Sequence, residues 1–149
     1  MYVVSSCLAG IPCRYDGKSC ANKVVVELVK QGKAVPVCPE QLAGLPAPRP
    51  CCEILAEQSG KKRVMNADGK DLTKEFVDGA QKALRIAKEK GITKAILKSK
   101  SPSCGCGCIY DGTFSGKTIA GNGITAELFL ENGIEVLTEN EADKQKAFP

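Results

Sequence analysis

Three short apolar runs in this chain each break into a loop that soon reaches a cysteine. Tyr2-Val3-Val4 precedes Cys7, and Ala34-Val35-Pro36-Val37 precedes Cys38. Residues 93–97 lead into Lys98-Ser99-Lys100-Ser101-Pro102-Ser103-Cys104-Gly105-Cys106-Gly107-Cys108. Runs this short, bounded by turn residues, read as buried strands. A helical pattern separates the first two, so they are expected to pair in parallel. Open parallel sheets collect their chemistry in the crevice beyond the carboxyl ends of the strands. Three strand ends that each carry a thiol can converge there.

In chain order, residues 1–6 read as a strand and residues 7–17 as a turn-rich loop. Asn22 is placed to cap a helix through Val24, Val25, Leu28 and Val29 that Gly32 closes. The strand at 34–38 holds Pro36, which confines it to an edge or to a non-bonded position. The proline-rich stretch 38–50 argues against regular structure. Residues 51–55 and 63–66 form a candidate hairpin around Ser59-Gly60. The helix over 72–90 is the clearest element, with Thr73 as its cap and an apolar stripe of Phe76, Val77, Ala80, Ala83, Leu84 and Ala87. Gly91 ends it. Residues 110–123 are glycine-rich and show no period. A helix over 125–131 and a strand over 134–137 follow, and the tail from Glu139 is charged, fraying or forming a short surface helix. The expected fold is α/β, one domain over residues 1–149. Its sheet is mostly parallel, with about four main strands flanked by helices and the site at their carboxyl ends.

Nine cysteines and no histidine stand in a sequence whose N-terminus does not read as an export signal. That points to the cytoplasm, where disulfides are rare and a cysteine excess signals metal or redox chemistry. Without histidine there is no His-based zinc site, no Ser-His-Asp triad and no Cys-His dyad. No apolar run is long enough to cross a membrane. The net charge of +4 is spread over many lysines and aromatic residues make up only 5%, so a nucleic-acid partner is not expected.

The glycines between Cys104, Cys106 and Cys108 permit close backbone approach and leave amide N–H groups free to face sulfur or an anion. An extended chain would put those three cysteines on one side, though C-x-C-x-C is not a usual iron–sulfur spacing. Cys13, Cys20, Cys51 and Cys52 read more plainly as small buried residues, because free cysteine is among the most buried types.

Three blocks carry a resemblance. The first is Ser6-Cys7-Leu8-Ala9-Gly10 with Arg14-Tyr15-Asp16-Gly17, and the second Val37-Cys38-Pro39-Glu40 with Gly44-Leu45-Pro46 and Pro48-Arg49. The third is Lys98-Ser99-Lys100-Ser101-Pro102-Ser103-Cys104-Gly105. In this order they resemble the bacterial thiouracil desulfidase family, and they cover nearly the whole chain. The resemblance implies a [4Fe-4S] cluster held by only three cysteines, Cys7, Cys38 and Cys104, with the fourth iron open. It also implies Glu40 and Ser101 as the proton-handling pair. Cys106 or Cys108 would close the fourth position if either reached it.

The implied reaction is non-redox desulfuration of a small thiolated pyrimidine, thiouracil giving uracil and hydrosulfide. The soft thiocarbonyl sulfur would bind the open iron and its carbon become more electrophilic. Glu40 would take a proton from water, with its pKa raised by burial and opposed by a lysine such as Lys100, and Ser101 would relay a proton. Arg49 and Asp16 rank second, as residues orienting substrate or loops. The competing readings are an iron–sulfur electron-transfer protein, a sulfur carrier or thiol oxidoreductase, and a structural zinc protein. The oxidoreductase reading wants a C-x-x-C and the zinc reading paired C-x2-C knuckles, and the chain has neither.

Overall fold

The computed structural model describes residues 1–145, and residues 146–149, the end of the charged tail, lie outside the described part. The chain runs β1 (Tyr2–Ser5), a 3₁₀ turn (Ser6–Ala9), α1 (Lys23–Lys30), β2 (Ala34–Val37), α2 (Pro39–Leu42), β3 (Cys52–Ala56) and β4 (Lys62–Asn66). It continues with α3 (Thr73–Glu89), β5 (Lys94–Leu97), β6 (Cys108–Tyr110), β7 (Thr118–Ala120), α4 (Ile124–Glu131), β8 (Glu135–Thr138) and α5 (Glu139–Lys144).

Four strands form one parallel sheet in the order β2-β1-β5-β8, with Val3 opposite Val35 on one side and Ala95 on the other. Alternation along the strands divides the core into two layers. Val3, Ala95 and Leu97 pack with Ala83 and Ala87 of α3 and Phe129 of α4. Val4 and Ile96 face the other way, onto Val25 and Leu28 of α1 and Ala142 of α5. Helices therefore cover both faces, which a fully parallel sheet requires because its strands are apolar on both sides. From β1 the chain passes outward to β2 and later returns on the opposite side of β1 as β5. The boundary between β1 and β5 is thus the point where the winding reverses, the usual place for a ligand crevice in such sheets.

Several sequence expectations hold in detail. Asn22 caps α1, its side chain accepting from the Val25 N–H at 3.2 Å. Pro36 lies on β2, at the sheet edge. The hairpin β3–β4 forms with Ile54 opposite Val64.

Others are corrected. The proline-rich stretch after Cys38 contains one helical turn, α2, because Pro39 occupies its first position, where a missing N–H costs nothing. Thr73 does not cap α3. Leu72 holds that position without a side-chain bond, and the Thr73 hydroxyl instead accepts from the Val64 N–H at 2.9 Å, tying the helix to β4. The period-free stretch after Cys108 yields a second small hairpin, β6–β7, with Ile109 opposite Ile119. The charged tail buries Glu139 and Ala142 in α5, so it is more than a surface helix.

Candidate active site at the strand ends

The β1 end is stitched to the β5 end by one bond: the Ser5 hydroxyl accepts from the Lys98 N–H at 2.9 Å. Beyond it opens a cavity of about 520 Å³, within the usual range of small-molecule sites. Cys7 from the 3₁₀ turn, Cys38 at the end of β2, and Cys104 in the loop after β5 all line it, as do Glu40 and Ser101. All five candidate residues therefore share one cavity.

The Cys104 loop is fixed from both sides. The Ser101 hydroxyl oxygen accepts from the N–H groups of Ser103 (3.1 Å) and Cys104 (3.0 Å). The start of α4 donates into the same loop, Ile124 N–H to the Pro102 carbonyl (2.9 Å) and Thr125 N–H to that of Ser103 (2.8 Å). These bonds make a turn rather than an extended chain, and of Cys104, Cys106 and Cys108 only Cys104 lines the cavity. Cys106 packs against the layer that contains Phe129, and Cys108 opens β6.

Cys13, set aside in the sequence as a buried residue, is buried, but beside the candidate ligands. Its thiol lies within hydrogen-bond reach of those of Cys38 and Cys7, and the Cys38 Sγ reaches the Cys13 carbonyl at 4.0 Å. Cys51 and Cys52 also line the cavity. The only sequence signal for Cys13 was its place next to Arg14-Tyr15 in the first motif block. Bonding to Cys13 and burial drive the Cys38 thiol far above its ordinary range. The bond to Cys38 lowers Cys13, but the bond to Cys7 and burial outweigh it and leave that thiol at about 11. Burial also carries Cys104 and Cys52 each to about 12. Such sulfurs stay protonated at neutral pH unless a cation compensates the thiolate.

Among the described residues no three thiol or carboxylate side chains gather tightly enough for a single metal ion. The thiols are instead spread around a cavity wall. That donor set, all sulfur and no histidine, fits a polynuclear iron–sulfur group, whose iron atoms each take their own thiolate.

Glu40 projects from the first turn of α2 and pairs with Arg49, whose guanidinium also donates to the carbonyls of Pro46 (2.9 Å) and Cys13 (3.1 Å). The pair is largely enclosed, with side-chain exposures of 5% for Arg49 and 17% for Glu40. The cation facing Glu40 is thus Arg49 and not Lys100. Asp16 lies in an exposed turn, where it bonds the Lys18 N–H at 3.0 Å. Ser101 has both lone pairs engaged by N–H donors, so the capacity left to its hydroxyl is that of a donor. Lys98 pairs with Glu139 at 3.2 Å, and Glu139 also accepts from the Ser99 N–H at 3.0 Å.

Comparison with known proteins identifies the family. The 2-thiouracil desulfurase family profile matches residues 2–141. An uncharacterized protein of Bacillus subtilis (strain 168), YbbK, is 46% identical over 146 residues, spanning 95% of this chain and 97% of its own. Among solved structures, the [4Fe-4S]-dependent thiouracil desulfidase TudS superposes with a TM-score of 0.85 at 42% identity, covering 93% of this chain and 90% of the other. Among the described residues no helix is long and apolar enough to cross a membrane.

Proposed function

The chain belongs to the 2-thiouracil desulfurase family, and from that premise we propose that it hydrolyses the thiocarbonyl of a small thiolated pyrimidine. One water enters, and the C=S bond is replaced by C=O with release of hydrosulfide. No electron is exchanged. The resident cofactor is a [4Fe-4S] cluster, the group named for the TudS structure, and Cys7, Cys38 and Cys104 would hold it. The reducing cytoplasm is the compartment such a group suits. The observation that carries the reading is the meeting of those three thiols with Glu40 and Ser101 on one cavity.

When bound, the cluster supplies a soft Lewis-acidic iron suited to sulfur. The rest falls to the chain. Glu40 accepts the proton of the attacking water, and its largely enclosed carboxylate is aimed by Arg49, which is itself fixed to two backbone carbonyls. Ser101, whose oxygen already takes two N–H bonds, donates its hydroxyl proton toward the ring nitrogen or the oxygen that develops on the carbon.

The decisive experiment is anaerobic reconstitution, iron and sulfide analysis, and assay with 4-thiouracil and 2-thiouracil without reductant. About four irons per chain with hydrosulfide release are expected. Iron without turnover would move the chain to electron transfer, and bound zinc without iron would end the reading. Glu40→Gln and Ser101→Ala are expected to keep their iron and lose about 10²–10⁴ in kcat.

A further inference from the structure

Two non-glycine residues among those described have positive φ, and one of them is the bulky Phe114 at 56°. A large aromatic side chain rarely adopts this conformation, so its surroundings must hold it there. The tethers are visible. On β3, the buried Glu53 carboxylate accepts from the N–H groups of both Gly112 (3.0 Å) and Phe114 (3.2 Å). Gly112 lies so close to β3 that a Cβ on it would stand 2.7 Å from the Ile54 carbonyl oxygen. Asp111 accepts from the Thr113 N–H at 2.9 Å, and its own N–H donates to the Lys117 carbonyl at 3.0 Å.

All of this fixes a ring that is not in the core. Phe114 is 38% exposed and lines the cavity, as do Tyr110, the thiols and Glu40. Tyr15, also exposed, joins the lining. The chain has only seven aromatic residues, four Phe and three Tyr, and three of them line this cavity. A strained backbone that presents an aromatic face to an open cavity offers little to folding and much to a flat ligand.

We infer that Phe114 is a stacking platform that holds the pyrimidine ring against the cavity wall. This rests on the desulfuration reading above. Phe114 is a substrate-binding residue, with no part in proton transfer. Its loss weakens ring binding and leaves the chemical step.

The test uses the cluster-loaded enzyme. Phe114→Ala is expected to raise KM for 4-thiouracil about tenfold while kcat stays within about twofold and iron content is unchanged. Phe114→Tyr restores the KM. The chain contains no tryptophan, so Phe114→Trp introduces a single indole whose emission should fall, saturably, as uracil is added. An indole indifferent to uracil, or a Phe114→Ala variant with unaltered KM, overturns the inference. So does a fall in kcat with loss of iron in Phe114→Ala and no quenching in Phe114→Trp. If uracil quenches the indole but the wild-type enzyme releases no hydrosulfide, the desulfuration reading fails while the platform stands.

Discussion

Gly79 sits in the middle of α3, where glycine is a poor choice for a helix, and alanine there would ordinarily add about 1 kcal/mol of stability. Here the substitution should do the opposite. A Cβ at this position would stand 2.0 Å from the Pro39 carbonyl oxygen, 2.8 Å from the Pro39 carbonyl carbon and 3.2 Å from the Ala43 Cβ. The obstacle is backbone, so no rotamer change relieves it. The helical turn α2 must move away by ångström distances, and forced overpacking of this kind costs about 1–3 kcal/mol. Set against the gain in helix propensity, Gly79→Ala should lose up to about 2 kcal/mol in urea unfolding of the cluster-free chain. The functional loss should be larger than that suggests. α2 begins at Pro39, carries Glu40 and directly follows Cys38, and a misplacement of about 1 Å at reacting groups costs about 10²-fold in rate. Turnover of 4-thiouracil by the reconstituted variant should fall by that order. Gln81→Ala, at an exposed position nearby on the same helix, is the control and should change stability by no more than about 0.5 kcal/mol. A Gly79→Ala variant that is as stable as wild type and turns over normally would show that α2 does not depend on the close approach.

Other outcomes follow from the same geometry. Arg49→Met strands a largely enclosed carboxylate, so the variant should lose about 3–5 kcal/mol in denaturant titration, whereas Arg49→Met with Glu40→Met should recover most of it. If the double variant is no better than the single one, the pair is not what Arg49 stabilises. Cys104→Ala should fail to retain a full complement of iron, while Cys13→Ala, Cys106→Ala and Cys108→Ala should keep it. Equal iron loss in Cys13→Ala and Cys104→Ala would assign Cys13 to the ligand set. Asp71 is held at about 2 by the Thr73 hydroxyl, the Thr73 N–H and Arg63. A carboxylate lowered on folding stabilises the fold above its unfolded pKa and loses that contribution as pH falls toward the folded one. Asp71→Asn should therefore flatten the decline in melting temperature between about pH 4 and pH 2.

What the sequence revealed was whatever follows from local pattern. Alternating apolar runs separated by amphipathic helices give the parallel sheet, Pro36 sends its strand to an edge, and the cysteines just beyond those runs inherit the crevice. Pairings made through irregular backbone were not legible. Arg49 reaches Glu40 around a proline-fixed loop, and no period announces that contact. Cys13 meets Cys38 because two separate loops fold over the same strand ends, and Phe114 is aimed by Glu53 from a distant hairpin. Thr73 misled because a hydroxyl at a helix start usually caps it, whereas here the β4 N–H takes the oxygen first.

The order of the sheet has a consequence for how this protein matures. β2, β1 and β5 are immediate neighbours, so the three proposed ligand thiols stand in the segments that leave adjoining strands. A zinc finger folds around its ion. Here the apolar clusters lie on the two faces of the sheet, built by strands and helices, so the cluster-free chain is expected to keep its helical circular dichroism. Assembly would then be a delivery step onto a native fold rather than a folding event.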